Sequence, residues 1–106
     1  MPALQTNTRT FTAVSQTVDL DVREMETASV SVTGTFVATV SFLISPDGTN
    51  FYAFNGTPSN SPTDASSVAA AGAFSFDVRP WAILRATTTA YTSGSPVALL
   101  SGKPQP

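Results

Sequence analysis

Catalysis needs a nucleophile, a base or a metal ligand, and this chain carries few residues of those kinds. It has no histidine and no cysteine. Ser-His-Asp and Cys-His arrangements cannot form, and zinc or iron would lack their commonest ligands. Carboxylates are the remaining acid–base groups. Asp19, Asp21, Glu24 and Glu26 lie close together around Arg23. Read functionally, they suggest a glycoside-hydrolysis pair or an oxygen-ligand calcium site. Hydrolysis, however, needs carboxyls on two sides of a substrate, and neighbours along one strand do not supply that. The preferred reading is a solvated strand face followed by a charged turn. Asp47 sits in Pro46-Asp47-Gly48, which is ordinary turn chemistry. The glycines never form a phosphate-cradling run. No catalytic residue, cofactor or metal site is expected.

Aromatic side chains offer a different chemistry, stacking on sugars. Tyr52, Trp81 and Tyr91, with Phe54, are the candidates, weighed against plain packing. Phe36, Phe42, Phe74 and Phe76 have core parity and are excluded. Arg85 follows an apolar run within a strand, and a cross-sheet pair with Asp77 or Asp19 is expected of it.

The elements that would position these groups are strands. Phe36, Ala38, Val40, Phe42 and Ile44 share one parity, and alternate strand residues point to one face. Ser45-Pro46-Asp47-Gly48 then makes a turn, and Asn50–Phe54 resumes with aromatic strand formers. The opposite parity of the first strand includes Val37 and Leu43, poor choices for a face left in water. Alternation also predicts strands over Thr17–Val22, Thr27–Val32 and Ala73–Val78, with a short one over Thr10–Val14 anchored by Phe11. Trp81–Tyr91 is ambiguous in parity, and Leu84, Ala86 and Thr88 are taken as inward. Val97–Ser101 is the last strand, using Val97 and Leu99. Arg79-Pro80 breaks the chain before Trp81.

These elements amount to seven or eight antiparallel strands with no helix: an all-β, jelly-roll-like β-sandwich. The expected organisation is an N-terminal arm over 1–9, a single sandwich over 10–102 with a long loop at 55–72, and a C-terminal tail over 103–106. Sixteen threonines and 13 serines stand in for charge, which is 11% of the chain against about 25% in an average domain. With a net charge of −2 and scattered cations, no nucleic-acid footprint exists. No apolar run approaches the ~20 residues that span a bilayer, and no signal-peptide pattern opens the chain. So neutral a surface suggests cover by partner chains, and sheet edges with few charges point the same way.

Two stretches resemble a known type. GTFVATVSFLISPDGTNFYAFNG (34–56) is similar to a Gly-Thr-aromatic strand, Ser-x-Asp-Gly-Thr-x-aromatic turn and aromatic strand common in small tailed-phage virion proteins. FDVRPWAILRATTTAYTSGSPVALL (76–100) resembles the matching C-terminal half of such proteins. The resemblance implies a jelly-roll or galactose-binding-like sandwich on a virion, and it transfers no catalytic residue.

The expected function is a non-enzymatic capsid decoration or cement protein. It would be made in the host cytoplasm and located on the virion, at the capsid surface. Its partners would be the major capsid protein and further copies of itself, as a trimer or dimer, with no nucleic acid or membrane. Val37, Leu43, Leu100 and Phe11 are the expected interface residues. The alternative is a carbohydrate-binding module of a tail, baseplate or fibre, using Tyr52, Trp81 or Tyr91.

Overall fold

The computed structural model describes residues 5–23, 25–59, 64–78 and 81–104. Ten strands run through them: β1 (Gln5–Thr10), β2 (Thr17–Asp21), β3 (Met25–Thr33), β4 (Phe36–Ser45), β5 (Tyr52–Ala53), β6 (Thr57–Pro58), β7 (Ser67–Val68), β8 (Gly72–Asp77), β9 (Ile83–Gly94) and β10 (Val97–Pro104). No helix occurs among the described residues. Sheet A has the order β1-β10-β3-β8-β6 and sheet B the order β2-β9-β4-β5, with β7 also paired to β4. All the pairings are antiparallel. The pairs β1/β10, β2/β9, β3/β8 and β4/β5 nest one inside the next, so the chain is one long hairpin rolled into two sheets. That is the jelly-roll arrangement.

The tip of the rolled hairpin is the Ser45–Asn50 turn. The buried Ser45 hydroxyl accepts the amide of Gly48 at 2.7 Å and donates to Asp47 Oδ1 at 3.0 Å. Asp47 Oδ1 accepts the amides of Thr49 and Asn50 at 2.8 and 2.9 Å, and Asn50 Nδ2 donates to Oδ2 at 3.0 Å. Gly48 takes φ +84°, a conformation that side chains bearing a Cβ resist. β5 is shorter than expected, two residues opposite Leu43 and Ile44.

The core lies between the sheets. Val18 and Leu20, Val30 and Val32, Val40, Phe42 and Ile44, Phe74 and Phe76, and Leu84 and Ala86 all face it. The inward assignment of Leu84, Ala86 and Thr88 holds, since all three are buried. Phe42 of sheet B meets Phe74 and Phe76 of sheet A at 4.9 and 5.3 Å between ring centroids. Phe76 stacks on Phe54 at 5.6 Å, and Phe54 meets Trp81 edge-on at 5.9 Å.

Several boundaries differ from those expected. The described part of the arm is strand β1, paired with β10 from Gln5↔Gly102 to Thr10↔Val97. Its sequence QTNTRT contains no apolar residue, so no hydrophobic alternation announces it. Side chains hold it instead: Thr8 Oγ1 donates to the Ala98 carbonyl, Asn7 Nδ2 to that of Asp19 at 2.7 Å, and Arg9 Nη1 to that of Thr17 at 2.8 Å. Thr12–Ser15 is a turn rather than a strand, and Ser15 has φ +65°.

The last strand reaches Pro104, through a bulge at Lys103/Pro104, so the tail extends the sheet. Its parity is the reverse of the expected one: Ala98, Leu100 and Gly102 are buried while Leu99 is 41% exposed. The 55–72 loop is partly structured, since it holds β6, β7 and a Gly56–Ala65 bridge. The expected break at Arg79-Pro80 lies outside the described residues.

Two measurements test this packing. Phe42→Ala removes the ring that joins the sheets, with an expected loss of about 3–5 kcal/mol in denaturant unfolding. Thr39→Ala, on the outer side of the same strand, should change stability by about 0.5 kcal/mol or less. The second measurement concerns pH. Amides of Asn50 and then Thr49 hold the Asp47 carboxyl well below the usual carboxylate range. A depressed folded-state pKa contributes stability above the unfolded value and loses it as pH falls toward the folded one. The stability advantage of the native chain over Asp47→Ala should therefore shrink on acidification below about pH 4. An advantage that stays constant on acidification contradicts the assignment.

Candidate interaction surface

Several charged groups hold the scaffold together. Arg85 pairs with Asp19 through two contacts of 2.7 and 2.9 Å, one of the two partners expected of it. Its guanidinium also lies 3.7 Å over the Phe51 ring. Hydrogen bonds to Asp19 raise the Arg85 pKa further. Asp21 accepts Nε of Arg23 at 3.0 Å, and this contact lowers the Asp21 pKa. Asp64 accepts the Thr57 hydroxyl at 3.0 Å. No group of three acidic residues able to hold a metal forms among the described residues, and Glu24 lies outside them. These pairs brace neighbouring strands and turns, and none of them confronts another carboxylate across a cleft.

The sugar-stacking candidates do not converge. Tyr52 pairs opposite Ile44, while Tyr91 pairs opposite Ala38. Six residues of β4 separate those positions, about 20 Å at the rise of a strand. Tyr52 is 58% exposed. Tyr91 is half-buried, and its hydroxyl donates to the Gly94 carbonyl. Trp81 is half-buried against the core and packs on Phe54.

The expected interface residues divide. Val37 is 59% exposed on the outer face of sheet B, beside an open depression of about 340 Å³. Leu43 is half-buried, opposite Arg85 and Ala53. Phe11 and Leu100 are wholly buried, so neither is available to a partner. Leu100 faces inward because its register places it opposite Val30 of β3, itself a core residue. Phe11 follows β1 with its amide bonded to the Pro96 carbonyl, and its side chain joins the core.

The surface that sequence reasoning missed is the outer face of sheet A. One cross-strand row there reads Thr6, Ser101, Ser29, Ser75, Thr57. Directly opposed residues share a face, so these five hydroxyls form a line across the sheet. The Ser29 and Ser101 oxygens are 3.0 Å apart. The next row reads Thr8, Leu99, Ser31, Ala73, and the third Thr10, Val97, Thr33. On the other side of the hydroxyl line come Lys103, Thr27 and Asp77, which bring the charge. A shallow depression of about 400 Å³ lies over Thr27, Ser29, Ser75 and Ser101.

This face is broad, and its charge lies in the Lys103, Thr27, Asp77 row at one end. Its hydroxyls can donate and accept hydrogen bonds without the cost of desolvating a charge. The signal was present as Thr/Ser alternation in TASVSVT and in QTNTRT. It became a surface only when pairing aligned the strands.

No protein-family model matches this chain, and no curated protein matches it. Solved structures do. The SPBc2 prophage-derived protein YomS superposes with a TM-score of 0.73 at 14% identity, over 95% of this chain and 96% of YomS. The PBSX exported protein XepA superposes with a TM-score of 0.78 at 20% identity, over 96% of this chain. The chain spans 39% of XepA, so it corresponds to one part of that protein. At these identities the likeness is one of fold.

The reversed parity of β10 can be tested at two adjacent leucines. Leu100→Ser should cost about 3 kcal/mol or more, since it empties a buried site and leaves a hydroxyl in the core. Leu99→Ser should stay within about 0.5 kcal/mol. Equal effects in chemical denaturation would contradict the register.

Proposed function

We propose that this protein is a non-enzymatic structural component of a phage particle, a capsid decoration protein that binds the assembled shell through the outer face of sheet A. The observation that carries this reading is the face itself. Four strands, β1, β10, β3 and β8, present hydroxyls and aliphatic side chains with charge confined to one end. Leu99, 41% exposed at its centre, gives it an apolar anchor. The same fold in the prophage-derived protein YomS supports the phage setting.

The binding would follow from the chemistry of the face. A flat sheet face matches a broad protein surface better than a small ligand, which calls for a concave pocket. Burying Leu99 and Val97 supplies the hydrophobic gain, and the hydroxyls replace their water contacts with shell partners. A ligand that binds only the assembled shell stabilises that state by mass action. Since the contact is nearly uncharged, the affinity should depend little on salt.

The test has two parts. Purified phage particles are assayed for the protein, and shells lacking it are then heated with and without it. The protein should sediment with particles and raise the temperature at which shells break. The double variant Ser31→Lys, Leu99→Lys should keep its fold and lose this effect, because it places two charges in the neutral rows. A protein found only outside particles, or an unchanged disruption temperature, removes the reading.

A further inference from the structure

We infer that strand β1 is a self-pairing edge, which joins two copies of this chain through antiparallel β1–β1 contact. The argument begins with the four sheet edges. In sheet A the edges are β1 and β6, and in sheet B they are β2 and the short strands beside β4. β6 has two residues, one of them Pro58, which lacks an amide to donate. β5 and β7 have two residues each. β2 has its Thr17 and Asp19 carbonyls occupied by the side chains of Arg9 and Asn7. β1, with six residues and neither proline nor bulge, is the remaining long edge.

The register against β10 shows which of its groups are open. The Phe11 amide bonds to the Pro96 carbonyl, the pair that follows Thr10↔Val97. Hydrogen-bonded pairs alternate along an antiparallel ladder. Asn7 and Arg9 therefore pair with β10, while Thr6, Thr8 and Thr10 turn their amides and carbonyls to the free edge. Among the described residues, the Thr8 amide is met there by the side chain of its neighbour, Asn7 Oδ1, at 3.0 Å. A partner carbonyl would replace that contact with a ladder bond.

The sequence of this edge suits a second copy of itself. A two-fold axis through Thr8 sets Thr8 against Thr8, Thr6 against Thr10, and Asn7 against Arg9 of the second copy. Threonine pairs on opposed strands are favourable. The same register keeps the two arginines apart and gives each an amide oxygen to face. The contact is isologous and closes at two copies. It would continue sheet A across both molecules, doubling the hydroxyl face. The inference stands on the edge alone and is independent of shell binding.

The test is sedimentation over a wide concentration range, with the full chain and two variants. Native protein should dimerise. Thr8→Pro removes one edge amide from each copy without touching the β10 ladder, so dimerisation should weaken about a hundredfold or more. Thr8→Ala keeps the amide and should still dimerise. Circular dichroism confirms that each variant is folded. Thr6→Pro, also at the free edge, replaces Thr8→Pro if the latter does not fold. Native protein that stays monomeric at the highest concentration overturns the inference, as does an oligomer indifferent to both proline variants.

Discussion

The contact on which the rest of the molecule depends is Phe42 against Phe74 and Phe76. It is made between sheets, from the middle of β4 to the middle of β8, and its ring is wholly buried. Aromatic pairs at these separations contribute about 0.5–1.5 kcal/mol beyond their buried area. Their larger effect is on orientation. Once Phe42 points inward, period-two alternation sends Val37, Thr39, Ser41 and Leu43 outward. Phe74 and Phe76 do the same for β8, which puts Ala73, Ser75 and Asp77 on the outer face of sheet A. The cluster also shapes the loop that passes over it. A Cβ on Gly56 would lie 2.5 Å from the Phe76 ring, so only a glycine backbone fits beneath that turn.

Around this core the chain manages polar groups with hydroxyls and amides rather than charge. The Ser45 hydroxyl and the Asp47 carboxylate satisfy the amides of the hairpin tip. Thr88, buried on β9, donates to the Ala13 carbonyl and so pins the turn between β1 and β2. Asn7 and Arg9 point toward the open side of the sandwich and close it by capping β2. The few ion pairs are local braces at partly exposed sites, where such pairs contribute about 1 kcal/mol or less. The result is a stable scaffold whose outer faces are left free for neutral contacts.

How much of this could be read in advance varied with the kind of residue. The hairpin at Gly34–Phe54 was visible because β4 is apolar on its inner parity and its turn residues each have a specific job. It turned out to be the tip of the whole rolled hairpin. The Asp19–Arg85 pair was visible as one of two choices, and the cross-strand register of β2 with β9 selected it. β1 carries no hydrophobic period in its Thr, Asn and Arg residues and so resembles an arm, although its strand is held by a full ladder. Phe11 and Leu100 stand among the expected interface residues yet are wholly buried, because near strand ends and in apolar doublets local pattern says little.

The amino-acid sequence alone determined the all-β class, the inward faces of β2, β3, β4 and β8, and the absence of histidine and cysteine. Each of those follows from local information: which residue types are present, and which parity carries them. Only the tertiary structure decided the face of β10, the strand nature of β1 and the line of hydroxyls across sheet A. In VALLSG both parities hold apolar side chains, so the strand by itself has no preferred side. Pairing Leu100 with Val30 and Ala98 with Val32 breaks that tie. Register joins residues some seventy positions apart, and no local period contains it.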